Sequence, residues 1–254
     1  MEPLHRVYEA FNANLLPKSQ FDLINNRFSL VLEGIARIEK ASGIRFPIAY
    51  VEPSVVLSST SNSFDFGILF ARTIPVFSNN SVQIIIQISG PLIAYGLKGT
   101  IHAILAHEFL HYLELISRLS KMNIVSDELS SNLFENVYTD NTRLFEPQSV
   151  FDDKTLLQHI TKKFPSGFRD YKLEDKVMKF WIEKNLPTLK ITLDTNIVKL
   201  NAETLSQLEI NPILLKRLEQ IQLKNSKIRK KKIYWINSVF AHLPHVLLFL
   251  CSDM

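Results

Sequence analysis

Apolar residues recur every three to four positions through the first forty residues, then fall into short alternating or continuous runs. That change of period marks helices giving way to strands. Residues 4–15 read as a short helix ending before Pro17. Residues 19–41 read as a longer one, with Phe21, Ile24, Phe28, Leu32, Ile35 and Ile38 at helical spacing and Ser42-Gly43 as its stop. Three strand-like runs follow at 44–51, 64–72 and 82–89, the last rich in isoleucine and ended by Gly90-Pro91. From residue 92 to 121 the period is helical again. There Ile101, Ile104, Leu105, Phe109, Leu110, Leu113, Leu115 and Ile116 cover nearly every direction, and a helix that is apolar all round is a buried one.

A further helix is expected over 127–145, opened by Ser126 as N-cap and closed near Pro147. Beyond it, 156–164 and 173–184 read as helices, 188–200 as a hairpin, and 202–222 as a helical pair broken at Pro212. The chain has 254 residues, 46% hydrophobic and 21% charged, which suffices for a substantial core. Its seven glycines are too few for a turn-rich all-β fold. The predicted class is α+β. Residues 1–147 would hold N-terminal helices, a small mixed sheet and a central helix, and 148–254 a mostly helical region packed on them.

The central helix carries His107-Glu108-Phe109-Leu110-His111, an H-E-x-x-H sequence. Residues i and i+4 share a helix face with Cβ atoms about 5–6 Å apart, so both imidazoles can reach one metal ion. Glu108 is rotated about 100° from His107, where it can take a proton from a metal-bound water without being a ligand. At this chain's histidine and glutamate content the pattern is expected by chance only about 0.01 times. Two histidines and a glutamate buried without an ion would be costly, which weighs against a purely structural role.

On these residues the chain resembles the zincin metallopeptidases, over roughly residues 44–145. The resemblance implies zinc as cofactor, a peptide or protein as substrate, and Glu108 as the general base. It also implies an edge strand above the metal cleft, for which 82–89 is the candidate. A metzincin would continue with glycine and a third histidine where Glu114 and Ser117 stand, and peptide deformylase needs an upstream cysteine that this chain lacks. A thermolysin-like, gluzincin pattern is left, in which a glutamate on a later helix completes the site. Glu128 and Glu135 lie 17 and 24 residues after His111. The resemblance favours Glu135, whereas periodicity places Asp140 within the apolar stripe of Leu129, Leu133, Val137 and Leu144. The resulting assignment is His107, His111 and Glu135 as zinc ligands, with Asp140 orienting a ligand histidine. Glu128, in the first turn, is explained by the helix dipole.

Charge alters this picture at one place. The net charge is +4, but Lys224, Lys227, Arg229, Lys230, Lys231 and Lys232 fall within nine residues. Without those six the chain has 23 basic and 25 acidic residues, so basicity belongs to one segment. That segment is a candidate contact for RNA, DNA or anionic lipid, or else a solvated helix face. An apolar stretch, 233–250, follows it, readable as a buried helix or a membrane anchor. The single cysteine, Cys251, excludes an intrachain disulfide, and no disulfide-linked partner is expected. Glu2, His5, Arg6 and Glu9 interrupt any secretory signal at the start, so a cytoplasmic setting is expected. Two readings compete with the peptidase: a catalytically inactive zincin scaffold used for binding, and a nucleic-acid- or membrane-associated protein working through 224–232.

Overall fold

Apolar faces at helical spacing near the start of the chain must be buried against something, and a mixed sheet with one long helix takes that role. A computed structural model describes residues 2–59, 67–78, 81–121, 145–165, 168–192 and 210–241. Helix α1 spans His5–Asn12, α2 Lys18–Arg27 and α3 Ser29–Ser42. The single helix expected over 19–41 is therefore two. Phe28 joins them at φ −61° and ψ −26°, within the helical region, so the break leaves no trace in the apolar spacing. Helix α3 stops at Gly43, whose φ of +67° closes the last turn by donating its N–H to Glu39 O.

Strands β1 (Ala49–Glu52), β4 (Ala71–Ser78) and β5 (Ser81–Ser89) form one sheet in the order β1-β5-β4. Strand β5 lies in the middle, parallel to β1 and antiparallel to β4. The expectation that 82–89 forms the edge is thus corrected. Ile84, Ile85, Ile86 and Ile88 are all buried, and a strand covered on both faces reads as a continuous apolar run. The edge is β4, where Pro75 is tolerated because one side of an edge strand makes no ladder bonds. The strand expected over 64–72 is represented by β3 (Gly67–Leu69) and the start of β4, with Phe70 between them.

A second sheet has the order β3-β2-β6, with β2 at Val55–Ser59 and β6 at Thr188–Thr192. Strand β6 pairs in parallel with β2, not with a hairpin partner of its own among the described residues. Helix α4 (Gly90–Tyr95) begins at Ser89, whose hydroxyl accepts from Leu92 N–H, and leads into α5 (Lys98–Lys121). Helices α6 (Pro147–Val150), α7 (Lys154–Lys163), α8 (Tyr171–Val177), which runs on through a π turn at Met178–Ile182, and α9 (Pro212–Ala241) complete the α+β architecture. Pro212 opens α9 instead of breaking a helix, as suits a residue with no N–H to contribute. Among the described residues no helix is long and apolar enough to cross a membrane.

One core runs from Leu4 to Ile221 and draws on both sides of residue 147. At its centre α5 packs against α3, α7, β4 and β5. Gly34 lets α3 approach closely, because a Cβ there would meet the His102 ring at 2.8 Å. His102 is buried, with Nε2 3.2 Å from Leu30 O and Nδ1 3.4 Å from Arg37 Nη1. Arg37 in turn forms a two-pronged ion pair with Asp153 at 2.7 and 2.9 Å, and Asp153 caps α7 by accepting from Leu156 N–H. Three helices are thereby tied together around the start of α5.

The Arg37 guanidinium holds the Asp153 carboxyl at about 2, below its ordinary 3.8. A carboxyl lowered in the folded state stabilises it above the ordinary value, and that contribution is lost as pH falls toward 2. Asp153→Asn should therefore cost about 1–2 kcal/mol in urea denaturation at pH 7, allowing for partial solvent screening, and much less at pH 2.5. A difference that does not change with pH would contradict this.

Candidate metal centre

Helix α5 is buried on nearly all sides, and the motif sits in the middle of it. His107 and His111 extend from one face so that their Nε2 atoms are 3.0 Å apart, with the rings edge to face at 4.6 Å between centroids. Metal binding would need both Nε2 lone pairs, with the ring protons on Nδ1. Burial and the neighbouring His111 hold the pKa of His107 well below its ordinary value, so the ring is neutral at physiological pH, the form that ligates metals. Two nitrogens each about 2.0–2.1 Å from a shared tetrahedral zinc stand about 3.3–3.4 Å apart, so the observed pair must spread by only a few tenths of an ångström. The donor pair fits that ion.

Glu108 is turned toward the sheet and buried. Its Oε2 lies 3.0 Å from the Thr73 hydroxyl, which is also 3.0 Å from the Glu108 main-chain oxygen. The single hydroxyl proton can serve only one of the two acceptors fully at a time. Thr73 stands on edge strand β4 opposite Ile86, so the sheet register places it under the glutamate. Burial pushes the Glu108 carboxyl up to about 7, and the Thr73 hydrogen bond opposes the rise.

A cavity of about 220 Å³ takes in His107, Glu108 and His111 together. Its other walls are mainly apolar, among them Phe70, Ile104, Phe164 and Phe168. Phe164, directly after α7, stacks on the His107 ring at 3.9 Å and 10° between planes, and it also touches Phe168. This segment is anchored by Asp170, which pairs with Lys163 and accepts from Thr100 Oγ1 at 2.9 Å. A larger hollow of about 820 Å³, lined by Ile48, Tyr112, Ile116 and Arg217 among others, contains none of the three motif residues. Size alone does not locate the chemistry.

The structure thus brings together His107, Glu108 and His111. Glu128, Glu135 and Asp140 lie outside the described residues. Among the described residues no group of three or more His, Cys, Asp or Glu side chains is disposed to hold a metal. His102 has the structural role given above, and His159 packs against Gly99. Tyr171 is exposed and does not line the cavity. Thr73, Phe164 and Phe168 were missed by sequence reasoning. Carrying the strand on past residue 72 would have signalled Thr73, whereas the two phenylalanines look like ordinary core residues.

The raised carboxyl of Glu108 has a thermodynamic consequence. Over the window from its ordinary 4.5 to about 7 the folded state holds a proton that the unfolded state has released, so stability falls as pH rises through that window. In the presence of chelator, Glu108→Gln should be about 2–3 kcal/mol more stable than the parent at pH 8 and close to it at pH 4, by chemical denaturation. Equal stability at both pH values would show that the carboxyl is not buried as described.

No protein-family model, curated protein or solved structure matches this chain, so the function of the site is argued from its own residues.

Proposed function

We propose that the chain is a zinc-dependent metallopeptidase of the zincin kind, resembling the gluzincins in its active-site helix. The supporting observation is the pair of imidazole nitrogens 3.0 Å apart, in one cavity with the buried carboxyl of Glu108. His107 and His111 would hold the zinc, with Glu135 as third ligand and Asp140 orienting a ligand histidine. Bound there, zinc supplies Lewis acidity, which brings the pKa of a water to about 7 and polarises a carbonyl.

The other steps belong to the protein. Glu108 is the general base, since a cation held beside it would favour its ionised, proton-accepting form. Thr73 positions that carboxyl from the edge strand. Phe164 stacks on one face of His107 and helps to fix the plane of its ring. Strand β4 pairs only with β5 among the described residues, and its other edge fits the zincin expectation of a peptide substrate added as a further strand. The lone cysteine fits a cytoplasmic setting.

Purified protein should carry one zinc per chain, lost in His107→Ala and His111→Ala. Glu108→Gln should keep zinc while hydrolysis of a mixed peptide library falls by at least ~10²-fold. Glu135→Ala should lose zinc most severely, Asp140→Ala should weaken binding about 10–100-fold, and Glu128→Ala should change little. Abolition by Asp140→Ala with Glu135→Ala silent would exchange those two roles. Zinc binding without any hydrolysis would make the protein a non-catalytic scaffold, and full zinc occupancy after both histidines are replaced would refute the site.

A further inference from the structure

Helix α9 has two faces of opposite character. One is internal: Leu218 and Ile221 are buried, Gln222 donates to Ser117 Oγ, and Asn225 Oδ1 accepts from Glu146 N–H at 2.8 Å. Arg217 is also used internally, donating to Ser42 O at 3.1 Å. The other face carries Lys216, Lys224, Lys227, Lys230 and Lys231, all exposed. At 100° per residue these five fall within an arc of about 120° and extend about 22 Å along the axis. No acidic residue lies within that arc, since Glu219 falls just outside it. Leu223, 65% exposed, sits among the lysines, and Ile213, 80% exposed, lies at the start of the same face.

We propose that this face of α9 docks the protein on an anionic lipid surface. Three features favour lipid over nucleic acid. Among the described residues the exposed cations within this arc are lysines, compact point charges that follow a diffuse negative potential and lack the planar fork with which arginine grips individual phosphates and bases. The exposed side chains between them are aliphatic, suited to the headgroup boundary, where stacking on bases would call for aromatic rings. The sequence beyond the lysines then runs from 233 to 250 without an Asp, Glu, Lys or Arg, beginning with Ile233-Tyr234-Trp235, and tyrosine and tryptophan are enriched at membrane interfaces. Lysines near an anionic bilayer act additively, so several in one row make binding steep in both lipid charge and salt.

The experiment is flotation of the full chain with vesicles of phosphatidylcholine alone, or of phosphatidylcholine with 30% phosphatidylserine. Binding is expected to the anionic vesicles in low salt, at least tenfold above the neutral ones, and to fall steeply by 0.5 M NaCl. Replacing Lys216, Lys224, Lys227, Lys230 and Lys231 by glutamine should lower that binding at least ~10²-fold, and replacing all five by arginine should retain it, which separates loss of charge from loss of fold. Equal binding to neutral and anionic vesicles would overturn the proposal, as would a glutamine variant that floats as well as the parent. Tight binding to a single-stranded RNA with no flotation would transfer the face to nucleic acid. None of these readouts depends on the metal centre.

Discussion

Two imidazoles and a carboxyl are set into the apolar core on one helix, His111 and Glu108 buried and His107 partly so, and the surrounding structure makes that placement tolerable. The cost is visible at Glu108, whose rise from 4.5 to about 7 corresponds to about 3 kcal/mol of disfavoured charge. Thr73 offsets part of it from the edge strand, His107 offsets its own by remaining neutral, and the two imidazoles meet at their Nε2 atoms. Nearer the start of α5, the Asp153–Arg37–His102 chain fixes how α3 and α7 lie against that helix, and Asp170 holds the segment that sets Phe164 over His107. Such a cluster would suit a positive ion, since a nearby cation favours the ionised carboxylate and the paired Nε2 atoms could serve as its ligands.

How much of this the sequence reveals depends on the range of the interaction. Burial of α5 follows from apolar residues around its whole circumference, and the opposition of His107 and His111 follows from a spacing of four. Glycine and proline marked Ser89 to Pro91 as a strand end and helix start, which is where the structure has them. The break at Phe28 was hidden because its dihedrals remain helical. The order of the strands was hidden for a different reason. Nothing local to 82–89 says whether it has one neighbour or two, and the pairing of β2 with β6 joins residues more than a hundred positions apart.

The site shows the same division. The part encoded within one helix was legible, whereas Thr73 required knowing that β4 runs on past residue 72 and pairs in a register that sets it opposite Ile86. Phe164 and Phe168 reach the histidines only through the packing of α7 on α5, and their types give no hint of it. The late basic run was legible as charge, but its division into an internal and an external face of α9 came from the burial of Leu218 and Ile221.

Whether the paired imidazoles form one half of a zinc site can be read from X-ray absorption at the zinc edge of the reconstituted protein. Two histidine ligands would give a first shell of nitrogen and oxygen at about 2.0–2.1 Å with the outer-shell scattering of two imidazole rings, and His111→Ala, which loses the zinc, would not reproduce that spectrum. A sulfur shell, a spectrum with no imidazole scattering, or a two-imidazole spectrum retained in His111→Ala would contradict such a site.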